Sequence, residues 1–112
     1  MQLPKLDIAQ HTGSSGTLVA RLTGKLSLET VSSFLQTMRT VDAEKMVLDM
    51  SGVSYLDSAG VGALVQLFVH RRANSRKLAV AALTTQGAAV MQVAGLTKLV
   101  PTFATVEEAA TT

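Results

Sequence analysis

The chain has 112 residues, 47% hydrophobic and 16% charged, with a formal net charge of +2, 4% aromatic residues and no cysteine. A chain of this size fits one compact globular domain over residues 1–112, burying roughly two-thirds of its unfolded surface, and its composition argues against disorder. The small charge and few aromatics give no pull toward nucleic acid, the missing thiols exclude disulfides and thiolate metal sites, and no apolar run reaches the ~20 residues of a membrane span.

The start, Met1 to Asp7, lacks the apolar segment of a signal peptide, which predicts a free-standing cytoplasmic protein. Leu6 to Thr12 reads as a first strand with Leu6, Ile8 and Ala9 turned inward. Gly13 to Gly16 is a turn cluster. Thr17 to Thr23 alternates, with Leu18, Ala20 and Leu22 on one face and Val19 and Arg21 on the other. Together they predict an antiparallel hairpin. Gly24 to Ser27 closes the second strand. Ser27 is placed as the N-cap of a helix over Leu28–Val41, apolar at Leu28, Val31, Leu35 and Met38, with Phe34 and Val41 adjoining.

After a polar connection from Asp42 to Lys45, the consecutive apolar residues Met46, Val47 and Leu48 predict a central strand covered on both faces. Asp49 to Asp57 reads as a polar connection rich in turn residues. Ser58 then stands where a helix N-cap belongs, ahead of a helix reaching Asn74 with an apolar set of Val61, Leu64, Val65, Phe68 and Val69. Arg71, Arg72, Arg76 and Lys77 cluster at its end; a phosphate or nucleic-acid patch is one reading, and the favoured one is that cations there complement the helix dipole. Leu78 to Leu83 predicts another buried strand, Thr84 to Gln86 a loop and cap, and Ala88 to Ala94 a short helix with Val90, Met91 and Val93 available to the core. Gly95 and Leu96 have the form of a left-handed helix stop. Leu99 to Phe103, interrupted by Pro101, predicts an edge strand, and Val106 to Ala110 a last helix with Glu107 and Glu108 in its first turn.

Strands joined through helices run parallel, so the loops Gly24–Ser27, Ser51–Ser58 and Leu83–Gln86 gather at the carboxyl edge of the sheet, where open α/β sheets place their ligand sites. Ser58 falls in that edge, at the positive end of a helix, where a phosphate is tolerated. Gly60 and Gly62 each cost about 1 kcal/mol against Ala inside a helix. Close packing of the helix start, or room for a partner beside Ser58, accounts for them. Ser58 lacks the neighbours of an enzyme nucleophile. His70 lies roughly 18 Å along the same helix, His11 sits beside the first hairpin at the opposite edge, and no glycine stands two residues before the serine. Asp49 and Asp57 form a carboxylate pair with no third ligand type, and no phosphate-binding loop appears.

Val47-Leu48-Asp49, Gly52-Val53, Asp57-Ser58-Ala59-Gly60 and Gly62-Ala63-Leu64 resemble the signature of the STAS domain family, in the Asp-Ser-Ala-Gly form typical of bacterial anti-sigma factor antagonists. The resemblance extends more weakly from about Thr17 to Ala109. It implies an α/β fold with a mixed sheet of four to five strands, an N-terminal hairpin and about four helices. It implies a phosphorylation site at Ser58 and a partner surface of Lys25, Ser27, Asp57, Ser58, Ala59 and Gly60, with no catalytic residue, cofactor or metal. The implied partners are an anti-sigma factor with serine kinase activity and a phosphatase for phospho-Ser58, with no direct contact to nucleic acid. The family often carries an aspartate where this chain has Ser27; Glu29 lies nearby but out of register. The alternative that the resemblance allows is a STAS accessory subunit of a membrane transporter or of a signalling scaffold.

Overall fold

The computed structural model describes residues 5–13 and 15–112. Met1 to Pro4, where a signal peptide would start, and Ser14 of the expected turn cluster lie outside the described residues. The strands are β1 Leu6–Thr12, β2 Leu18–Leu26, β3 Lys45–Leu56, β4 Lys77–Ala81 and β5 Thr102–Phe103. The helices are α1 Val31–Met38, α2 Ser58–Ala73, α3 Thr85–Val93 and α4 Val106–Thr111, with a 3₁₀ turn at Leu96–Lys98. The strands lie side by side in chain order. β1 is antiparallel to β2, as the hairpin signal predicts, and every later pairing is parallel.

One face of the sheet carries the main core. Ala20, Leu22, Met46, Leu48, Leu78 and Val80 point into it and meet Phe34 and Met38 of α1, Leu64 and Leu67 of α2, and Met91 of α3. The opposite face is thinner, with Val19, Val47, Ala79 and Ala81 packed under Ala109 of α4. Met46, Val47 and Leu48 are fully buried because both layers cover β3, the arrangement that consecutive apolar residues require.

The structure corrects the reading of Asp49–Asp57 as a loop. β3 runs on for twelve residues to Leu56, and β2 continues beside it to Leu26. Its core-facing residues are Met46, Leu48, Met50, Val53 and Leu56. That spacing of two slips to three where β3 bulges against β2, between the Arg21 and Thr23 rungs and again between Gly24 and Lys25. Each bulge inserts an unpaired residue and resets which side chains face inward, so the alternation that marks a strand breaks and turn residues sit at the breaks.

Other boundaries also move. α1 starts at Val31, not Leu28. Thr30 holds its N-cap position, and Ser27 is not the cap. The Thr30 hydroxyl accepts the Ser27 N–H at 3.0 Å and donates to the Lys25 carbonyl at 2.8 Å, while the Thr30 and Val31 amides both donate to Ser27 O. The Ser27 hydroxyl itself goes to Glu29 and caps no amide, and the turn leaves Leu28 71% exposed. α3 begins at Thr85 because the Thr84 hydroxyl accepts the Gly87 amide at 3.1 Å. Gly95 takes the left-handed φ of 75° and Leu96 folds back into the core. β5 is a two-residue edge strand after Pro101. Val69 and Val93, expected to face inward, are exposed.

Arg71 departs furthest from its expected role as a dipole-complementing surface cation. It is 2% exposed. Its guanidinium donates to the carbonyls of Lys77 at 2.9 Å, Val41 at 3.3 Å and Ala43 at 2.5 Å, tying the end of α2 to the segments that enter β3 and β4. Burial lowers its pKa below the ordinary arginine value, Arg76 adds to the effect and Asp42 opposes it; an arginine stays cationic at neutral pH nonetheless. Arg71→Met keeps the buried stem but leaves three carbonyls without their donor. It should cost about 2–4 kcal/mol, read as a lowered urea midpoint with unchanged m, whereas Arg72→Met, on the exposed side, should stay within about 0.5 kcal/mol.

Candidate functional site

The three loops expected at the carboxyl edge are fastened to each other around Leu56 and Asp57. Leu56 ends β3 with its side chain fully buried. The Gln86 side chain clamps its backbone, accepting the Leu56 N–H at 3.0 Å and donating to the Leu56 carbonyl at 2.8 Å. This completes the ladder at a position where β4 has already ended, and it fixes the first turn of α3 beside the first turn of α2. Sequence reasoning read Gln86 only as part of a loop. The signal available was a glutamine in the first turn of a capped helix, which is too common to stand out.

Asp57 makes the second fastening. Its extended backbone, at φ −108° and ψ −176°, places it as the N-cap of α2. One carboxylate oxygen accepts the Gly60 N–H at 2.8 Å, and the other accepts the Leu28 N–H at 3.1 Å from across the edge. The cap is therefore Asp57 and not Ser58. Asp and Ser are nearly equal as caps, so the pair Asp57-Ser58 does not by itself say which residue holds the position. Here the Asp57 carboxylate, accepting the Gly60 amide, identifies Asp57 as the cap.

Ser58 consequently starts the helix proper, and it is exposed. Its hydroxyl has no hydrogen-bond partner among the described residues. Asp57 lies before it, the positive end of α2 lies beneath it, and Lys25 is exposed on the neighbouring strand, in register with the 46% exposed Tyr55. Ser27 is brought to the same edge but is 3% exposed, and its hydroxyl donates to Glu29 at 2.9 Å. Glu29 thereby reaches the edge through Ser27 despite its shifted register. Ala59 is half-buried and Gly60 buried, so of the six expected surface residues Lys25 and Ser58 are the open ones.

Beside Ser58 an apolar groove of about 370 Å³ runs between α2 and α3, lined by Ser58, Val61, Ala89, Val90, Val93 and Ala94. Val93 is 90% exposed and Leu28, on the other side of Asp57, is 71% exposed. A charged edge thus sits between exposed aliphatic side chains. Asp49, the other carboxylate of the expected pair, accepts the Ser51 amide within β3. His70 lines a cavity with Arg39 and Asn74 at the far end of α2, and His11 is exposed on β1.

With this geometry in place, comparison with known proteins gives a consistent result. The family model for the STAS domain matches residues 8–109, and the chain belongs to that family. Among solved structures, an anti-sigma factor antagonist from Mycobacterium paratuberculosis superposes with a TM-score of 0.86 at 21% identity, covering 96% of this chain and 92% of that one. The anti-sigma factor antagonist SpoIIAA in its unphosphorylated form gives 0.77 at 22% identity, with 93% of each chain covered. A sulfate transporter family protein from Wolinella succinogenes gives 0.76 at 12% identity, over 88% of this chain and 84% of that one. At such identities the likeness establishes the shared fold. Among the described residues, no helix is long and apolar enough to cross a membrane.

Gly60 and Gly62 separate cleanly. A methyl group on Gly60 would overlap the Leu26 carbonyl oxygen and lie 2.7 Å from Leu56 Cδ1, whereas one on Gly62 meets nothing within 4 Å. Gly60 is there for close approach of α2 to β2. Gly60→Ala should therefore destabilise by about 1–3 kcal/mol and disturb the Asp57 cap, while Gly62→Ala should stabilise by up to about 1 kcal/mol. Thermal denaturation of the two variants side by side reads the contrast as opposite shifts in Tm.

Proposed function

We propose that this chain is an anti-sigma factor antagonist, a bacterial signalling module in transcription control that binds an anti-sigma factor with serine kinase activity while Ser58 is unphosphorylated. The kinase supplies the phosphoryl group and a phosphatase resets the switch. The chain itself supplies a hydroxyl and a docking surface, and no catalytic group. The observation that carries this reading is the state of Ser58: an exposed hydroxyl with no internal hydrogen bond, one residue past a cap that does not need it, on the rim of an apolar groove. A side chain freed from structural duty at that position can be modified without unfolding the helix.

A phosphate on Ser58 adds about −1.5 to −2 charges directly after the Asp57 carboxylate. The helix end and Lys25 moderate that charge for the free protein. A partner that covers Leu28, Ser58 and Val93 must strip water from it, and the cost falls on binding. The accessory-subunit reading, in which the same edge holds a transporter or a scaffold, is favoured by the likeness to the Wolinella succinogenes protein. It needs the edge but does not need the Ser58 hydroxyl.

Two substitutions test the switch. Ser58→Ala should leave stability within about 0.5 kcal/mol, since Asp57 is the cap, should abolish phosphorylation, and should keep the partner bound. Ser58→Asp should stay folded, because an acidic residue suits the first turn of a helix, yet bind the candidate kinase at least tenfold more weakly, a difference of about 1.4 kcal/mol. Calorimetric titration of both variants measures this directly. Equal affinities would reject the switch and favour the accessory-subunit reading.

A further inference from the structure

We infer that the opposite end of the sheet holds a second site, for a small amphiphilic anion with a phosphate or carboxylate head on an apolar body. The site is a cavity of about 280 Å³ beside the start of β4. Its walls are Phe68 of α2, Leu78 of β4, and Pro101 and Phe103 of the last strand region. Its mouth carries Lys45, Arg72, Arg76 and Lys77, with Thr112 beside Lys45.

The cavity exists because the ladder between β4 and β5 stops early. β5 pairs only with Val80 and Ala81. The Val80 N–H donates to the Pro101 carbonyl at 2.9 Å and the Ala82 N–H to the Phe103 carbonyl at 3.0 Å. In a parallel ladder alternate residues turn their N–H and C=O to the same side, so Leu78, two residues before Val80, turns both groups toward β5. The next rung down would be an N–H from Pro101 to the Leu78 carbonyl, and proline has none. The chain has also turned away by then, so the Leu78 backbone faces the cavity without a strand beside it.

The charges are arranged to hold an anion. Lys45 and Lys77 are neighbours in register at the starts of β3 and β4, and like charges side by side on a sheet repel. Lys45 is drawn off to the Thr112 carbonyl at 2.7 Å, and Arg76 pairs with Asp42 at 2.8 Å, the one ion pair among the described residues. Arg72 and Lys77 are exposed at the mouth and have no anionic partner among the described residues. Apolar walls with a few polar groups at one end are the usual make-up of a small-molecule site. A bound anion would relieve the lysine pair, and the Leu78 N–H would give it a fixed donor. The free edge is too short for an added peptide strand, since Lys77 to Ala79 offers a single outward residue.

Phenyl phosphate is a suitable probe, because phenol and inorganic phosphate are its two halves. Amide NMR titration of the whole chain should give saturable shifts at Leu78, Ala79 and Phe103, with an affinity for phenyl phosphate at least tenfold above that for either half. Arg72→Glu with Lys77→Glu, both at exposed positions, should lose at least tenfold in affinity while the spectrum around Ser58 stays unchanged, and Arg72→Gln with Lys77→Gln should fall between. Absence of saturable shifts, equal binding of either half alone, or indifference to the charge reversal would each overturn the site. Vesicles of phosphatidylglycerol and phosphatidylcholine form the other arm. Capture on vesicles without binding of free phenyl phosphate would assign the cations to a lipid surface and also overturn it.

Discussion

The site depends on the two hydrogen bonds accepted by the Asp57 carboxylate. One comes from Gly60 inside α2 and the other from Leu28 at the head of the β2–α1 turn. The first is an ordinary helix cap. The second joins two loops that are remote in sequence, and adds to the backbone bond that the Asp57 N–H donates to the Leu26 carbonyl at 3.4 Å. Because one carboxylate serves both, the helix start, the end of β3 and the turn at Leu28 hold their positions together. Gln86 extends the same fastening to α3 through the Leu56 backbone. Ser58 is left over from this arrangement, exposed and without an internal partner.

That division of labour makes a local modification compatible with an unchanged fold. A serine acting as the cap would lose its hydrogen bond when phosphorylated, and the helix start would have to rearrange. With the cap on the preceding residue, a phosphate on Ser58 would be added to a side chain that already faces water. The close approach of Gly60 to the Leu26 carbonyl keeps the helix seated on the sheet, so the added charge has little backbone to move. Its influence would be directed outward, onto whatever covers the groove between α2 and α3.

Much of the fold was legible from sequence because apolar periodicity and turn chemistry agree for most of the chain. The hairpin, the buried run Met46–Leu48, the parallel strand–helix units and the stop at Gly95 follow from those patterns alone. The second half of β3 was not legible, since two bulges break its alternation and place Ser51, Gly52 and Ser54 where a loop would have them. Ser27 was misread as a cap because a serine before an apolar series is the standard sign, and nothing in the sequence shows that the Thr30 hydroxyl closes a turn first. Arg71 was grouped with its surface neighbours because its burial depends on three backbone carbonyls from elsewhere in the chain. Of the candidate residues at the carboxyl edge, Asp57 and Ser58 were singled out by their motif, although the motif did not distinguish cap from free hydroxyl. The exposed Leu28 and Val93 were missed because both lie at apolar positions of helical patterns, where inward packing is the default expectation.

The account's central claim is that phosphorylation at Ser58 changes a surface and leaves the scaffold intact. The most direct measurement is an amide NMR comparison of the unmodified chain with the same chain carrying phosphoserine at position 58. The account predicts shifts confined to the turn around Leu28, to Asp57 through Val61 and to the α3 face near Val93, with the Leu28 and Gly60 amides still protected from hydrogen exchange. Shifts spread through the strands, or rapid exchange at those two amides, would show that the phosphate acts by opening the fold and would contradict the claim.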